Sequence, residues 1–249
     1  MSIQSGPDPG FPYLGEDERL SFPSPEKAKH SSIIVWGGNL SPGMLLSAYE
    51  QGLFPWYSEG EPVIWHSPDP RFVIYPEKIH VSASMKKVFR RKEYTVTFDM
   101  DFPAVITACS GIERQGQAGT WITADMIAAY TELHRLGWAH SAEAFINGEL
   151  AGGCYGIRLG NIFFGESMFA LKPNASKAAF LSLARFLFED GVRLIDCQTP
   201  TRHLKSLGAE EISRKEYLGL LRETLAQRPA ASMDRADRRG SWRGIRQER

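Results

Sequence analysis

One stretch of the chain, residues 161–206, constrains the fold more than any other. It contains an apolar strand that ends at Gly165-Glu166-Ser167, a long apolar helix, and a second strand that leads into Asp196 and Gln198. This order predicts two strands of one sheet joined by a helical crossover. Carboxyl and amide groups are costly to bury without partners, so polar residues at these strand ends predict a site that does chemistry or holds a polar ligand.

The remaining pattern predicts an α/β (α+β) fold with a mixed sheet. Asn147-Gly148 is a strong turn signal and joins two strands, Ala139–Ile146 and Glu149–Arg158, into a hairpin. Antiparallel strands followed by one crossover give a mixed sheet. Further strands are predicted at Phe72–Tyr75, Tyr94–Phe98 and Leu194–Cys197, and helices at Pro42–Gln51, Ser82–Lys92, Phe102–Ser110, Thr123–Leu136, Ala175–Asp190 and Arg214–Ala226.

Composition divides the chain into three parts. Residues 1–70 form an arm rich in Pro, Gly and Ser (1–32) and a small N-terminal domain with two Pro-punctuated aromatic loops. Residues 71–228 carry the α/β pattern and form the catalytic domain. Residues 229–249 are rich in Arg and poor in apolar residues, so we expect a disordered tail.

Charge and cysteine content restrict the partners and the compartment. The net charge of the 249-residue chain is zero, so contact with a nucleic acid requires a local basic patch. The three cysteines, Cys109, Cys154 and Cys197, have no paired spacing, which is typical of a reducing compartment. There is no apolar run of ~20 residues and no signal peptide. We therefore predict a cytoplasmic protein.

Several site classes are disfavoured. His134 and His140 lack metal-ligand spacing, and the chain has no HExxH, CxxC or Gly-rich phosphate loop. We expect no metal and no cofactor. Residues Gly165–Phe169 resemble a nucleophile elbow only superficially, because Phe169 stands where the second Gly of G-x-S-x-G belongs.

Three polar residues are the candidate reaction centre. Asp196 and Gln198 are two apart on a strand and so face one side, while Cys197 faces the other. With Glu166 at another strand end, we expect them to converge on one cleft. The alternative is a purely structural role, in which Asp196 caps a strand end and Gln198 forms hydrogen bonds with the backbone of a loop.

An apolar set is predicted beside Glu166, either as the wall of a ligand pocket or as plain core. Unbranched, flexible Met suits an irregular pocket wall. The set comprises Cys154, Met168, Phe180, Leu183 and Leu187.

A basic helix and several aromatic residues are compatible with RNA binding, but each also has a structural explanation. One short predicted helix carries five basic side chains, which either form a solvated face or contact phosphates. They are Lys86, Lys87, Arg90, Arg91 and Lys92. The aromatic side chains either stack on bases or anchor loops: Trp56, Trp65, Trp121 and Tyr130.

Together these motifs resemble the bacterial leucyl/phenylalanyl-tRNA–protein transferases. The resemblance runs in order from about Phe22 to Leu221. Its segments are Phe22–Pro25, Trp36–Pro42, Phe54–Trp56, Trp65–Arg71, Gly119–Thr123, Ala129–Tyr130, His140–Glu143, Gly152–Gly156, Gly165–Phe169, Asn174–Lys177, Leu194–Gln198 and His203–Ala209. The resemblance implies a small N-terminal domain joined to an acetyltransferase-like domain.

It also implies the activity and the partners. The family transfers Leu or Phe, and less well Met, from aminoacyl-tRNA to proteins with N-terminal Arg or Lys, which creates an N-degron. The partners would be Leu-tRNA, Phe-tRNA and the acceptor protein, with the enzyme as a monomer.

The resemblance assigns residue roles by motif. Asp196 and Gln198 match the catalytic pair. Trp56, Trp121 and Tyr130 match residues around the terminal adenosine. The amino-acid pocket is matched by Cys154, Glu166, Met168, Phe180, Leu183 and Leu187. The sequence departs from the family where His66 replaces a Trp, Cys154 a Met, and Leu183 and Leu187 aromatic residues.

The chemistry of such a transfer suits these residues. The donor ester is already activated, so neither ATP nor a metal is required. An amide is a poor base, so we expect the Gln198 carbonyl oxygen to orient the amine while Asp196 fixes its geometry and offsets developing ammonium charge.

Two alternatives remain open. Acetyl-CoA-dependent N-acylation on the same fold predicts an [RQ]-x-x-G-x-[GA] loop, which the sequence lacks. An RNA-binding module that uses residues 86–92 would leave Asp196 and Gln198 without a role.

Overall fold

The structure is a computed structural model that describes residues 5–28, 31–112 and 121–226. The predicted tail at 229–249, part of the arm, and Gly119-Thr120 of one motif lie outside the described residues. The strands of the described segments are β1 Ile33–Trp36, β2 Phe54–Pro55, β3 Ile64–His66, β4 Arg71–Ile74, β5 Thr95–Phe98, β6 Ala139–Ile146, β7 Glu149–Leu159, β8 Ile162–Ala170, β9 Leu194–Gln198 and β10 Glu210–Ile212. The α-helices are α1 Pro42–Glu50, α2 Ala83–Arg90, α3 Phe102–Ser110, α4 Ala124–Arg135, α5 Ala175–Glu189, α6 Arg202–Ser206 and α7 Arg214–Ala226.

The main sheet has seven strands in the order β10-β4-β9-β8-β7-β6-β5. Strands β8 and β9 are parallel, and the other neighbours are antiparallel. Helix α5 is the crossover between β8 and β9. The predicted mixed sheet of an α/β fold is therefore confirmed.

Local signals explain most element boundaries. Asn147 and Gly148 both have positive φ, 52° and 83°, as a two-residue hairpin turn requires. The side chains of Ser82 and Thr123 cap α2 and α4 by accepting from the backbone N–H of Met85 and Met126.

Alternate residues of the strands belong to two hydrophobic cores on opposite faces of the sheet. On β4, Val73 belongs to the core under α1, α3, α4 and α7, whereas Phe72 and Ile74 belong to the core under α2 and α5. Phe164 and Phe163 of β8 divide in the same way. Both faces are covered, so polar groups of the central strands must find partners inside the protein.

One prediction about β8 is wrong, and the difference creates the site. The strand does not end at Gly165-Glu166-Ser167 but continues to Ala170. Tyr155 pairs with Ser167 and Gly156 pairs with Gly165, so Glu166 is the extra residue of a β-bulge. The bulge lets the β7–β8 ladder continue past a residue that has no partner in register.

Beyond the bulge, β8 and β9 diverge. Their parallel pairing ends at Phe164 and Asp196. β8 continues against β7, while β9 pairs with β4 as far as Gln198. A cleft opens between the two strands.

The N-terminal region packs on this framework. The two loops predicted between Phe54 and Arg71 contain β2 and β3, which form a small sheet in the order β1-β3-β2. Helix α1 contacts α4 and α7. In the described part of the arm, Phe11, Leu14 and Leu20 pack against the core. The domain boundary at residue 70 stays a prediction. The described segments contain no helix that is long and apolar enough for a membrane span.

Candidate active site

A cleft of about 650 Å³ lies between the diverging strands. Its lining includes the bulged residue of β8 and the last residue of β9. Seven of the predicted site residues lie together there: Trp56, Trp121, Cys154, Glu166, Met168, Phe180 and Gln198. The lining includes the aromatic rings of Trp56 and Trp121, and the apolar side chains of Cys154, Met168 and Phe180.

Four predicted site residues lie behind the cleft surface. Leu183 and Leu187 are buried one and two helical turns beyond Phe180, about 4.5 and 10 Å further along α5. They belong to the core that supports the apolar wall. Tyr130 and Asp196 are fully buried. We therefore correct the expectation that all three polar groups of the candidate reaction centre face one cleft.

Glu166 and Gln198 join the two strands at the base of the cleft. Gln198 Nε2 donates to Glu166 Oε1 over 2.8 Å. Because the carboxylate accepts this bond, the amide must present Nε2 to it and its carbonyl oxygen to the other side. Within the described residues, no protein group donates to Gln198 Oε1. The backbone of Gln198 has a φ of 63°, which turns the chain out of the strand at this point.

Two tyrosines from distant elements hold Glu166. The hydroxyl of Tyr49 on α1 donates to Glu166 Oε1 over 2.7 Å, and that of Tyr130 on α4 donates to Oε2 over 3.3 Å. The two hydroxyl oxygens also lie within hydrogen-bond distance of each other. Because each hydroxyl has one proton and Tyr49 gives its proton to Glu166, Tyr130 shares its proton between the Tyr49 oxygen and Glu166 Oε2. Sequence reasoning missed Tyr49 as a site residue, because it carries no local signal beyond its place on the apolar face of α1.

Burial dominates the ionisation of this group. Desolvation raises the pKa of Glu166 from 4.5 to about 7, although the hydrogen bonds from Tyr49, Tyr130 and Gln198 oppose the rise. Burial next to Glu166 also raises the pKa of both tyrosines, so they remain hydrogen-bond donors. The cleft thus has a carboxyl group at its base that titrates near neutral pH.

Asp196 belongs to a buried network beside the cleft. Arg71 Nε and Nη2 donate to its two oxygens over 2.9 and 2.6 Å, and the Tyr217 hydroxyl donates over 2.8 Å. Neither Arg71 nor Asp196 has any exposed side-chain surface. The Arg71 guanidinium also lies over the rings of Phe54 and Tyr217, at 4.9 and 4.4 Å from their centroids.

This network holds the backbone of Gln198, the residue whose side chain reaches the cleft. Burial alone would lower the pKa of Arg71, but the Asp196 carboxylate outweighs it and raises the pKa, so the guanidinium stays charged. Asp196 Oδ1 also accepts from the backbone N–H of Gln198 over 2.8 Å. Asp196 therefore acts on the cleft by holding the backbone of Gln198. Its predicted role in fixing the geometry of the reacting amine stays a prediction, and its charge is already paired with Arg71.

The chain matches two family models. Residues 73–222 match the leucyl/phenylalanyl-tRNA protein transferase model, and residues 38–69 match the model of that family's N-terminal domain. The chain belongs to this family.

Curated relatives match the sequence of this chain over nearly their whole length. A leucyl/phenylalanyl-tRNA–protein transferase of Myxococcus xanthus is 51% identical over 92% of this chain and 95% of its own. One from Pseudomonas entomophila is 51% identical over 86% of this chain and 96% of its own. The family resemblance seen in the sequence is thus confirmed.

Solved structures are more distant. They include L-PGS from Bacillus licheniformis, with a TM-score of 0.41 and 12% identity over 64% of this chain and 66% of that one. A GCN5-related N-acetyltransferase from Kribbella flavida has a TM-score of 0.39 and 13% identity over 70% of this chain and 62% of that one. At these values the likeness does not bear on activity.

The basic helix lies apart from the cleft lining. Lys86, Lys87 and Arg90 on α2 are exposed, as are Arg91 and Lys92 directly after it. Arg91 has an exposed partner, Glu93, at 3.8 Å. Met85 and Val88 anchor the opposite face of the helix in the core. In the parts of the chain that the structure describes, no group of three His, Cys, Asp or Glu side chains is placed to hold a metal ion.

The raised pKa of Glu166 predicts a pH-dependent stability. Because the folded state binds this proton more tightly than the unfolded state, the stabilising contribution is complete below pH 4.5. It is lost as the pH rises to about 7. At 1.36 kcal/mol per pKa unit, the loss is about 3 kcal/mol. Glu166→Gln should remove this dependence, and urea unfolding of both proteins from pH 4.5 to 8 measures it.

Glu149→Gln, on an exposed residue, controls for the change in net charge. Parallel stability curves for the wild type and Glu166→Gln would contradict the assignment.

Proposed function

We propose that the protein transfers Leu or Phe, and less well Met, from aminoacyl-tRNA to the N-terminal amine of proteins that begin with Arg or Lys. The observation that carries this proposal is the Glu166–Gln198 pair at the base of the cleft. The cleft lining contains two aromatic rings, Trp56 and Trp121, and an apolar set, Cys154, Met168 and Phe180. An aminoacyl-adenosine has the same two parts, a base and an apolar side chain, joined by the ester that reacts.

Two parts of the cleft lining would place the donor. The rings of Trp56 and Trp121 suit the terminal adenine, since base–aromatic stacking contributes about 1–3 kcal/mol per base. Trp56 is supported by His66, 5.5 Å away between ring centroids. This His stands where the family pattern has a Trp, so an aromatic support is retained. The apolar wall of Cys154, Met168 and Phe180 then receives the donor side chain.

The donor's own amino group also needs a partner. Glu166 is the acidic side chain of the cleft lining in the described residues. With a pKa near 7 it ionises readily when a cation binds beside it. We assign Glu166 to the donor α-amino group.

The reacting amine is placed by Gln198. The amine nitrogen attacks the ester carbonyl carbon, a C–N bond forms, and the bond to the ribose oxygen breaks. Gln198 Oε1 accepts a hydrogen bond from the amine and aims its lone pair, while the leaving ribose oxygen takes the proton directly or through water. Holding amine and ester in line can supply about 7–11 kcal/mol of the barrier reduction.

One assay tests the activity. The protein is mixed with labelled Leu-tRNA and peptides that differ only in their first residue: Arg, Lys, Ala or Asp. We expect transfer to the Arg and Lys peptides only. Acetylation of the same peptides with acetyl-CoA, without transfer from Leu-tRNA, would instead favour the alternative N-acyltransferase.

The apolar wall predicts which donors are used. A fitted wall contributes about 0.8 kcal/mol per buried CH₂, which favours the unbranched or γ-branched side chains of Leu, Phe and Met. Ile and Val branch at Cβ, next to the ester, where we propose that a narrow entrance excludes them. Competition among charged tRNAs should show Leu and Phe above Met, and Ile and Val at least about tenfold lower. Equal use of Val and Leu would show selection by hydrophobicity alone.

The exposed cations of α2 predict a salt-dependent contact with tRNA phosphates. Phosphate contacts add affinity without reading sequence, and each one steepens the salt dependence. Changing Lys86, Lys87, Arg90 and Arg91 to Ala should raise KM for charged tRNA and flatten its dependence on salt. Lys215→Ala, on an exposed residue of α7, is the control. An unchanged salt slope would mean that the basic face only keeps α2 solvated.

We further propose a cytoplasmic monomer. The three cysteines are free thiols and all are buried, which suits a reducing compartment.

A further inference from the structure

The small N-terminal sheet has one buried face and one face that is partly open. Along β3, Val63, Trp65 and Ser67 are buried, whereas the alternating residues Ile64 and His66 are only half-buried. Successive side chains of a strand point to opposite faces, so the first set faces the core and the second set faces outward. One side of this sheet can therefore contact a partner.

Strand pairing extends this outward side across the whole sheet. Residues that are directly opposite in an antiparallel pair point to the same face. Trp36 on β1 is opposite Ile64, and Ile33 is opposite His66. On the other side of β3, Trp56 donates its backbone N–H to Ile64 over 2.9 Å, and its ring centroid lies 5.5 Å from that of His66. These residues, Ile33, Trp36, Trp56, Ile64 and His66, form the outer face.

The outer face begins in the cleft and becomes more exposed away from it. Trp56 lines the cleft and is half-buried, whereas Trp36 is 64% exposed and Ile33 is 40% exposed. Single exposed apolar side chains are normal, but several on one continuous face indicate a binding surface. Trp36 lies two strands from Trp56, so about 9.4–9.8 Å separate their backbones. The two indole rings thus belong to one short surface that leads out of the cleft.

The charges on and around the outer face restrict the partner. The face carries no carboxylate and no Lys or Arg. Burial lowers the pKa of His66, so this imidazole is uncharged at neutral pH. Glu59 and Glu61, in the turn between β2 and β3, are exposed and would repel a phosphate. The contact must therefore come from an uncharged, flat group, and nucleic-acid bases stack on exposed aromatic rings in this way.

We propose that Trp36 binds the donor tRNA by stacking on a base of the unpaired nucleotides that precede the terminal adenosine. This inference rests on the proposed transfer, which places the adenine beside Trp56. The nucleotides joined to that adenosine must leave the cleft over its rim. Because Trp56 belongs both to the cleft lining and to the outer face, a strand that leaves the adenine along this face meets Trp36 next. Trp36 then adds affinity for the tRNA end without touching the reacting ester.

Donors of different length test this contact. KM is measured with phenylalanyl-adenosine and with the phenylalanyl ester of the trinucleotide CCA, at a saturating concentration of a peptide that begins with Arg. In the wild type, KM for the trinucleotide donor should be about tenfold lower, because it adds bases that can stack. Trp36→Ala should lose this gain, while its KM for phenylalanyl-adenosine should not change.

Matched variants separate stacking from other effects. Trp36→Phe retains an aromatic ring and should keep much of the gain, whereas Trp36→Leu is apolar without a ring and should lose it. Tyr13→Ala removes another exposed aromatic side chain, 69% exposed, and serves as the control. Because no phosphate contact is removed, Trp36→Ala should leave the salt dependence of KM for charged tRNA unchanged.

Several results would overturn the role of Trp36. They are equal KM values for the two donors in the wild type, a gain that survives in Trp36→Ala, and an equal rise in KM for both donors. A rise in KM for the Arg peptide would instead place the acceptor protein on the outer face. If the wild type transfers from neither donor and not from Phe-tRNA, the proposed function itself is refuted.

Discussion

Asp196→Ala is expected to lower the free energy of unfolding by about 3–5 kcal/mol. The change would leave the Arg71 guanidinium buried, charged and without its carboxylate, and would also remove the acceptors of Tyr217 and of the Gln198 backbone. Urea unfolding at pH 7 measures the loss. Loss of transfer in this variant would therefore reflect a disturbed cleft as well as any direct role in catalysis.

Two comparisons make this result decisive. Arg71→Met with Asp196→Leu removes both charges and should recover much of the stability lost in Asp196→Ala. Arg185→Ala breaks an exposed pair with Glu189 and should cost less than about 1 kcal/mol. A loss below 1 kcal/mol in Asp196→Ala would show that the buried pair does not support the sheet.

Gln198→Ala is expected to lower kcat by about 10²-fold with little change in KM for charged tRNA. In the proposed mechanism the Gln198 amide aims the attacking amine, and misplacement by about 1 Å can cost that factor. Steady-state transfer to an Arg peptide measures both constants. Gln198→Asn retains an amide but is one methylene shorter, so it should be nearly as slow.

Thermal unfolding of both Gln198 variants serves as the control, because the buried Arg71–Asp196 pair remains intact in them. A kcat close to that of the wild type in either variant would remove Gln198 from the reaction centre.

The sequence predicted those elements whose signals are local. Helices α3 and α7 begin and end at the predicted residues, and the hairpin turns at Asn147-Gly148. Caps, prolines and turn residues act within a few positions, so a single sequence displays them. The continuation of β8 to Ala170 was missed because a bulge at Glu166 is imposed by the register of β7. Taken alone, Gly165-Glu166-Ser167 predicts the end of a strand.

The candidate site was predictable only in part for the same reason. In the sequence, Glu166 and Gln198 come shortly after runs of apolar residues, which marked them as polar groups near buried strands. The partner of Asp196 lies 125 residues earlier in the chain, and Tyr49 lies 117 residues before Glu166. Such contacts depend on strand order and helix packing. Phe180, Leu183 and Leu187 were predicted as members of one apolar set, but the sequence does not show which turn of α5 reaches the cleft.

The central claim is that the cleft between β8 and β9 holds the aminoacyl end of charged tRNA. A crystal structure with a non-hydrolysable phenylalanyl-adenosine, in which an amide replaces the ester, tests it most directly. We predict the adenine beside Trp56 and Trp121, the phenyl ring against Cys154, Met168 and Phe180, and the carbonyl carbon next to Gln198. A ligand bound outside this cleft, or bound in it with the carbonyl group far from Gln198, would contradict the account.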